Sequence, residues 1–200
     1  MNKKQLSIIL SKLQLVSLPN VDLEQYQTEG ELAGEIIWKA FINNDVAGKI
    51  IADLGCGNGI FGIAALLLGA KRVYFLDIAK NSIKTAKENY KRLKLKNGIF
   101  LNSDVGEFDK KIDKVIMNPP FGVQKEHSDR IFLEKAMEVS STIYSLHKIE
   151  SKNFINSLSK KSGFRVENVY KYKLLLKQTY KFHKKNSYYV DVGLWIMRKL

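Results

Sequence analysis

The chain is short of cysteine, histidine and proline, and each shortage closes off a class of protein. One cysteine, Cys56, permits no disulfide framework, so a reducing, cytoplasmic setting is expected. The three histidines, His127, His147 and His183, are far apart, and no Cys/His cluster has metal-ligand spacing, so no metal site is expected. The three prolines are Pro19, Pro119 and Pro120; two are adjacent and mark one special place rather than a linker. No apolar run approaches the roughly 20 residues that span a bilayer. The first ten residues carry two lysines and a short apolar stretch without a small-residue cleavage site, which does not read as a signal peptide. No membrane partner is expected. Repeats, low-complexity tracts and obvious linkers are also missing. With 200 residues, 45% of them hydrophobic, the chain is expected to form a single domain over 1–200. Within it, 1–45 reads as an N-terminal helical and lid segment and 46–200 as the core.

Positive charge is what the chain has in excess. Lysine and arginine number 33 against 20 acidic residues, a formal net charge of +13. Such a balance suits a polyanionic partner, although a solvated lysine-rich surface would read the same way.

Hydrophobic spacing organises the rest. Leu6, Ile9, Leu10 and Leu13 predict a helix over Lys3–Leu15, broken at Pro19-Asn20, and Leu32, Ile36, Ile37 and Phe41 predict a second over Glu29–Asn43. Short apolar strands are then expected over Lys49–Leu54, Arg72–Leu76, Gly98–Leu101, Lys114–Met117 and Ser141–Ser145. Helices over Asn58–Leu68, Ala79–Leu95, Ser128–Val139 and Glu150–Lys161 alternate with them. Two longer strands, Arg165–Leu176 and Ser187–Arg198, have no helix between them and should pair antiparallel. The expected fold is α/β and Rossmann-like, a seven-stranded mostly parallel sheet with an antiparallel C-terminal edge and N-terminal helices. Asp53, Asp77, Asp104 and Asn118 stand at or just past four strand ends, where such sheets bind ligands.

After the first strand runs Asp53-Leu54-Gly55-Cys56-Gly57-Asn58-Gly59. Glycines here let the backbone take positive φ and approach a ligand closely, and the following helix presents free N–H groups. A Gly-x-Gly pair also fits dinucleotide binding, and Asp77 would read similarly in a nicotinamide enzyme. The Gly-x-Gly-x-Gly spacing, with an aspartate two residues before it, is the form of S-adenosylmethionine-dependent methyltransferases of class I. Asp77, with Ile78 beside it, would then accept the ribose hydroxyls, and Asp104, with Val105, the adenine amino group. Cys56 reads as a small packing residue, and Asp53 could instead cap the helix.

Asn118-Pro119-Pro120-Phe121 ends the fourth strand. An aromatic amine is a poor nucleophile because its lone pair is delocalised into the ring. Two acceptors at its N–H groups, the Asn118 side-chain oxygen and the Pro119 carbonyl, would aim that lone pair at a methyl donor. Pro120 restrains Pro119 and so fixes the carbonyl. Phe121 offers a face for a flipped-out base. Phenylalanine at this position favours adenine or cytosine amino groups over protein glutamine, where tyrosine is usual.

These motifs, with Leu23-Glu24-Gln25-Tyr26-Gln27-Thr28, Tyr144-Ser145-Leu146-His147-Lys148 and Tyr180-Lys181-Phe182-His183-Lys184-Lys185, resemble the small-subunit ribosomal RNA adenosine N6-methyltransferases and their archaeal homologues over nearly the whole chain. The family's usual Glu-Gln-Tyr-Pro-Thr has Gln27 in place of proline. The resemblance implies that Gln25, Tyr26 and Thr28 contact the methionine end of the cofactor. It also implies an adenosine of small-subunit rRNA as substrate and a small zinc-binding activator subunit as partner.

Lysines interleave with aromatics over 170–185, and Lys181, His183, Lys184 and Lys185 are expected to touch RNA. Protection of an exposed strand edge would use the same lysines. The basic run Lys80 to Lys96 reads as a solvated helix face, and Asp129 as a helix cap. A DNA amino-methyltransferase is the first competing reading, but no segment is left over for reading duplex grooves. A protein-glutamine methyltransferase and a non-catalytic RNA-binding module complete the alternatives.

Overall fold

A computed structural model of the chain describes residues 1–17, 28–121, 128–177 and 187–200. Alternation of short apolar strands with amphipathic helices gives one seven-stranded sheet. Its strands are β1 (Ile50–Leu54), β2 (Arg72–Asp77), β3 (Gly98–Asn102), β4 (Lys114–Met117), β5 (Thr142–Lys148), β6 (Phe164–Lys177) and β7 (Ser187–Lys199), in the order β3-β2-β1-β4-β5-β7-β6. The first five run parallel; β7 is antiparallel to both β5 and β6. The α/β class, the strand count and the antiparallel edge agree with the sequence reading.

The side-chain alternation of the strands feeds two cores. Ile51, Val73, Phe75, Ile116 and Tyr144 point to one face, against α1 (Lys3–Ser11), α2 (Gly30–Ile42), α3 (Ile60–Leu67) and α4 (Lys80–Arg92). Ala52, Leu54, Leu76, Val115, Met117 and Ile143 point to the other, against α5 (Ser128–Val139) and α6 (Lys152–Lys161).

Several helices are shorter than their apolar spacing predicts, each for a local reason. A capping box between Asn2 and Gln5 starts α1, which stops at Ser11. Gly59, at φ +84°, is the N-cap of α3, so Asn58 stays in the loop. Beyond Arg92 the chain turns through Lys94 (φ +51°) and Asn97 (φ +69°), which ends α4 before Leu95. A 3-10 turn over Ile149–Ser151 delays α6.

Asp45 ties the amino rim of the sheet together. It is 4% exposed and accepts from Tyr144 OH (2.7 Å), Lys114 Nζ (2.8 Å) and Arg198 Nη2 (2.8 Å), joining the starts of β4 and β5 to the end of β7. At the opposite, carboxyl rim β6 and β7 outrun their neighbours. Pairing of β5 with β7 ends at Lys148↔Val192, while Lys173–Lys177 of β6 and Ser187–Asp191 of β7 go on pairing with each other. This two-stranded ribbon extends about 17 Å past β5 at ~3.4 Å per residue.

Candidate active site

The carboxyl rim gathers most of the side chains expected to act. The glycine loop is tied down by the end of β2, where the Leu76 carbonyl accepts from both Gly55 and Cys56 N–H at 2.8 Å. Asp77 completes the tie: one carboxylate oxygen accepts from Gly57 N–H and the other from Ala79 N–H, each at 2.9 Å. Burial pushes the Asp77 pKa up, against these backbone N–H groups, which pull it down. Gly57 sits at φ +54°, and a Cβ there would meet nothing within 4 Å. The loop thus leaves an open cradle in front of Gly57, rimmed by Asp77 and by the half-exposed Ile78. These residues fit a cofactor that needs close backbone approach and a ribose acceptor.

Two loop residues face elsewhere. Asp53 is 1% exposed and accepts from Gly62 N–H at 2.8 Å, so it holds the first turn of α3, as the capping alternative anticipated. Its other oxygen is buried with no hydrogen-bond partner among the described residues, and burial raises the Asp53 pKa well above the carboxylate norm. Asn58 turns its amide away from the cradle to donate to the Gln14 carbonyl (3.2 Å). Asp104 is exposed and caps a 3-10 turn, accepting from Gly106 N–H (2.8 Å), with Val105 buried next to it. Burial also raises the Cys56 thiol, in keeping with a packing role.

Asn118 follows β4, the strand beside β1 and its glycine loop. Its Nδ2 donates to Thr28 Oγ1 at 3.0 Å, which fixes the amide, and its Oδ1 is buried with no hydrogen-bond partner among the described residues. An unmatched buried acceptor costs about 1–3 kcal/mol, a penalty tolerated where a ligand supplies the donor. Phe121 is half-buried against the first core. Gln25, Tyr26, His127, Lys181, His183, Lys184 and Lys185 lie outside the described residues.

Three supports under the site escape a sequence reading. Asn89 on α4 is 1% exposed; it donates to the carbonyls of Gln14 (2.9 Å) and Asn58 (3.1 Å) and accepts from Gln14 N–H (2.8 Å). The signal available was an asparagine on the apolar stripe of Ile83 and Ala86. Asp129, in the first turn of α5, reaches His147 Nδ1 at 3.4 Å, and His147 Nε2 meets Ser145 Oγ at 2.7 Å. Ser145 pairs with Met117, the residue before Asn118. Burial lowers the His147 pKa, against the pull of Asp129. All three groups are buried, so they brace the site and offer no accessible nucleophile. The third support is the α1–α2 contact: a Cβ on Gly30 would stand 2.4 Å from Ser11 N, so glycine there lets the helices touch.

Among the described residues no helix is long and apolar enough to cross a membrane, and no group of three His, Cys, Asp or Glu could hold a metal.

Comparison with known proteins agrees with this geometry. The family model of the methyltransferase small domain matches residues 28–142. The chain is 37% identical to the uncharacterized protein MJ0284 of Methanocaldococcus jannaschii, over 99% of this chain and 94% of that one. It is 33% identical to the rRNA N(6)-adenosine-methyltransferase METTL5 of Danio rerio, over 99% and 98% of the two chains. The crystal structure of PH1948 from Pyrococcus horikoshii, a candidate RNA methyltransferase, superposes with a TM-score of 0.94 at 40% identity, covering 100% and 98%. A glycine loop open at Gly57, an oriented Asn118 and these full-length likenesses give one conclusion: the chain belongs to the methyltransferase small domain family and is an S-adenosylmethionine-dependent methyltransferase.

Proposed function

We propose that the enzyme methylates the exocyclic N6 amino group of an adenosine in small-subunit ribosomal RNA. The observation that carries this reading is the buried, unmatched Asn118 Oδ1, held by the Thr28 contact. It is an acceptor prepared for an N–H that arrives with the substrate. The full-length relatives named as rRNA N6-adenosine-methyltransferases favour adenosine in rRNA over DNA or protein.

In this reading the cofactor supplies an electrophilic methyl group on its sulfonium. Gly55, Gly57 and the Asn58 backbone would hold its methionine end together with Gln25 and Tyr26, while Thr28 holds the Asn118 amide. Asp53 keeps the loop on α3, Asp77 and Ile78 take the ribose, and Asp104 and Val105 take the adenine. Asn118 Oδ1 and the Pro119 carbonyl accept the two amino hydrogens of the flipped base, which turns the lone pair out of conjugation and toward the methyl. Pro120 holds that carbonyl, and Phe121 stacks on the base. The methylated amine is acidic and gives its proton to water, so positioning does most of the work. The β6–β7 ribbon leaves the same rim as Asn118 and leads to Lys181, His183, Lys184 and Lys185, which would grip the RNA backbone.

The test is methyl transfer from labelled cofactor to small ribosomal subunits, naked rRNA, duplex DNA and protein extract, followed by nucleoside analysis. N6-methyladenosine in small-subunit rRNA is expected; label in DNA or protein overturns the substrate assignment. The reading extends to a small zinc-binding activator subunit, on the resemblance alone. If cofactor binds but no methyl moves, adding that subunit should restore transfer. Asn118→Ala should abolish turnover while cofactor affinity stays within a few-fold, and equal loss of both would contradict the role given to Asn118.

A further inference from the structure

Helix α4 carries lysines at 80, 84, 87 and 91, spaced four, three and four apart, which places them along one stripe on the side away from the buried Ser82, Thr85, Ala86 and Asn89. A groove of about 400 Å³ runs along it, lined by the four lysines with Ile83, Glu88 and Asn102. Among the described residues none of the four forms an ion pair, whereas Lys39, Lys114 and Lys135 on other elements each have a carboxylate partner. Lys87 also lies over the Phe100 ring, at 5.8 Å. Charges gathered in a groove and left without partners are suited to a polyanion.

The groove is also placed to serve the active site. Lys80 comes one residue after the Asp77-Ile78 pair, past Ala79, and Asn102 Nδ2 donates to the carbonyls of Asp77 and Ile78 (3.0 and 2.8 Å). In the strand order β3-β2-β1-β4, Asn102 and Asn118 stand at the ends of strands three steps apart. At ~4.8 Å per step that is about 14 Å. The stripe then leads away for about 16 Å, eleven residues at ~1.5 Å each.

We infer that this groove is a docking surface for the phosphodiester backbone of RNA flanking the modified nucleotide, at the opposite edge of the sheet from the β6–β7 ribbon. The inference rests on the RNA reading above. The substrate is then held on both sides of the base it presents, which resists the twisting that extrusion of a base imposes.

The test is equilibrium binding of a structured small-subunit rRNA fragment to the full chain across a range of KCl concentrations. It compares the wild type, the triple variant K84Q/K87Q/K91Q and a control, K160Q/K161Q on α6. Each phosphate contact contributes about 0.7–0.9 to the log–log salt slope, so the triple variant should lower the slope by about two and leave cofactor affinity unchanged. The control should leave the slope unchanged. A triple variant with wild-type slope and affinity overturns the inference. So does one that keeps RNA affinity but loses an acidic protein partner. Because the slope is read without turnover, a wild type that binds RNA through these lysines yet makes no N6-methyladenosine would fail the functional reading and not this one.

Discussion

At the scale of single residues, the Thr28–Asn118 contact carries the sharpest expectation. Without the Thr28 hydroxyl the Asn118 amide can rotate, and its oxygen is no longer held for the substrate. Thr28→Val should lower kcat about five- to tenfold, in line with ~1 kcal/mol for one hydrogen bond, while a calorimetric cofactor titration changes less than threefold. A larger loss of cofactor affinity than of kcat would place Thr28 in cofactor binding instead. His147 makes a second case. Burial depresses its pKa in the fold, so the unfolded chain takes up the extra proton as pH drops below ~6.5. Its contribution to stability is intact above that pH. It is then lost by at most about 1.4 kcal/mol per pH unit until the lower folded value is reached. His147→Gln should flatten the fall in Tm between pH 7 and 5. Asn118 and the glycine loop were legible in the sequence because their chemistry is contiguous in the chain. Asp129–His147 and Thr28–Asn118 were not, since each joins distant segments that only the fold brings together.

Elements were legible in kind and less so in extent. Apolar spacing found the six α-helices and seven strands of the described residues, yet it carried α4 through Leu95, because periodicity does not register the positive φ at Lys94. Nor does it show which helices touch. Glycines at 30 and 34 on α2 face Ser11 and Ser7 of α1, and they are there for closeness rather than flexibility. Gly30→Ala should force α1 off α2 and cost about 1–3 kcal/mol, read as a drop in urea midpoint. The tail of α1 also delivers Gln14 to Asn58 and Asn89. The same variant should therefore weaken cofactor binding although it lies outside the glycine loop. A loss of stability with cofactor affinity unchanged would separate α1 from the site.

Across the whole molecule, the two rims of the sheet divide the labour. The carboxyl rim holds unmatched polar atoms at Asp53 and Asn118, while the amino rim holds the Asp45 network. Burial alone would raise the Asp45 pKa, but Arg198, Lys114 and Tyr144 together hold it below the usual carboxylate range. Asp45 therefore supports stability at neutral pH and loses that support only as the solution falls through its depressed value, below ~3.9. Asp45→Ala would leave Lys114 without a carboxylate and Arg198 with Glu167 alone. A loss of about 3 kcal/mol is expected by chemical denaturation, with kcat within twofold once the protein is folded. Composition showed a basic protein but not this centre, because one aspartate among 20 acidic residues carries no local signature. The ribbon of β6 and β7 has a consequence of its own. If it grips RNA as proposed, it works as a measuring arm, with a length counted in residue pairs. Deleting two facing pairs keeps each side chain on its original face and draws the tip in by about 7 Å, whereas deleting one pair turns every residue beyond it to the opposite face. In RNA methylation, the even deletion should move the modification to a neighbouring nucleotide, and the odd one should abolish it.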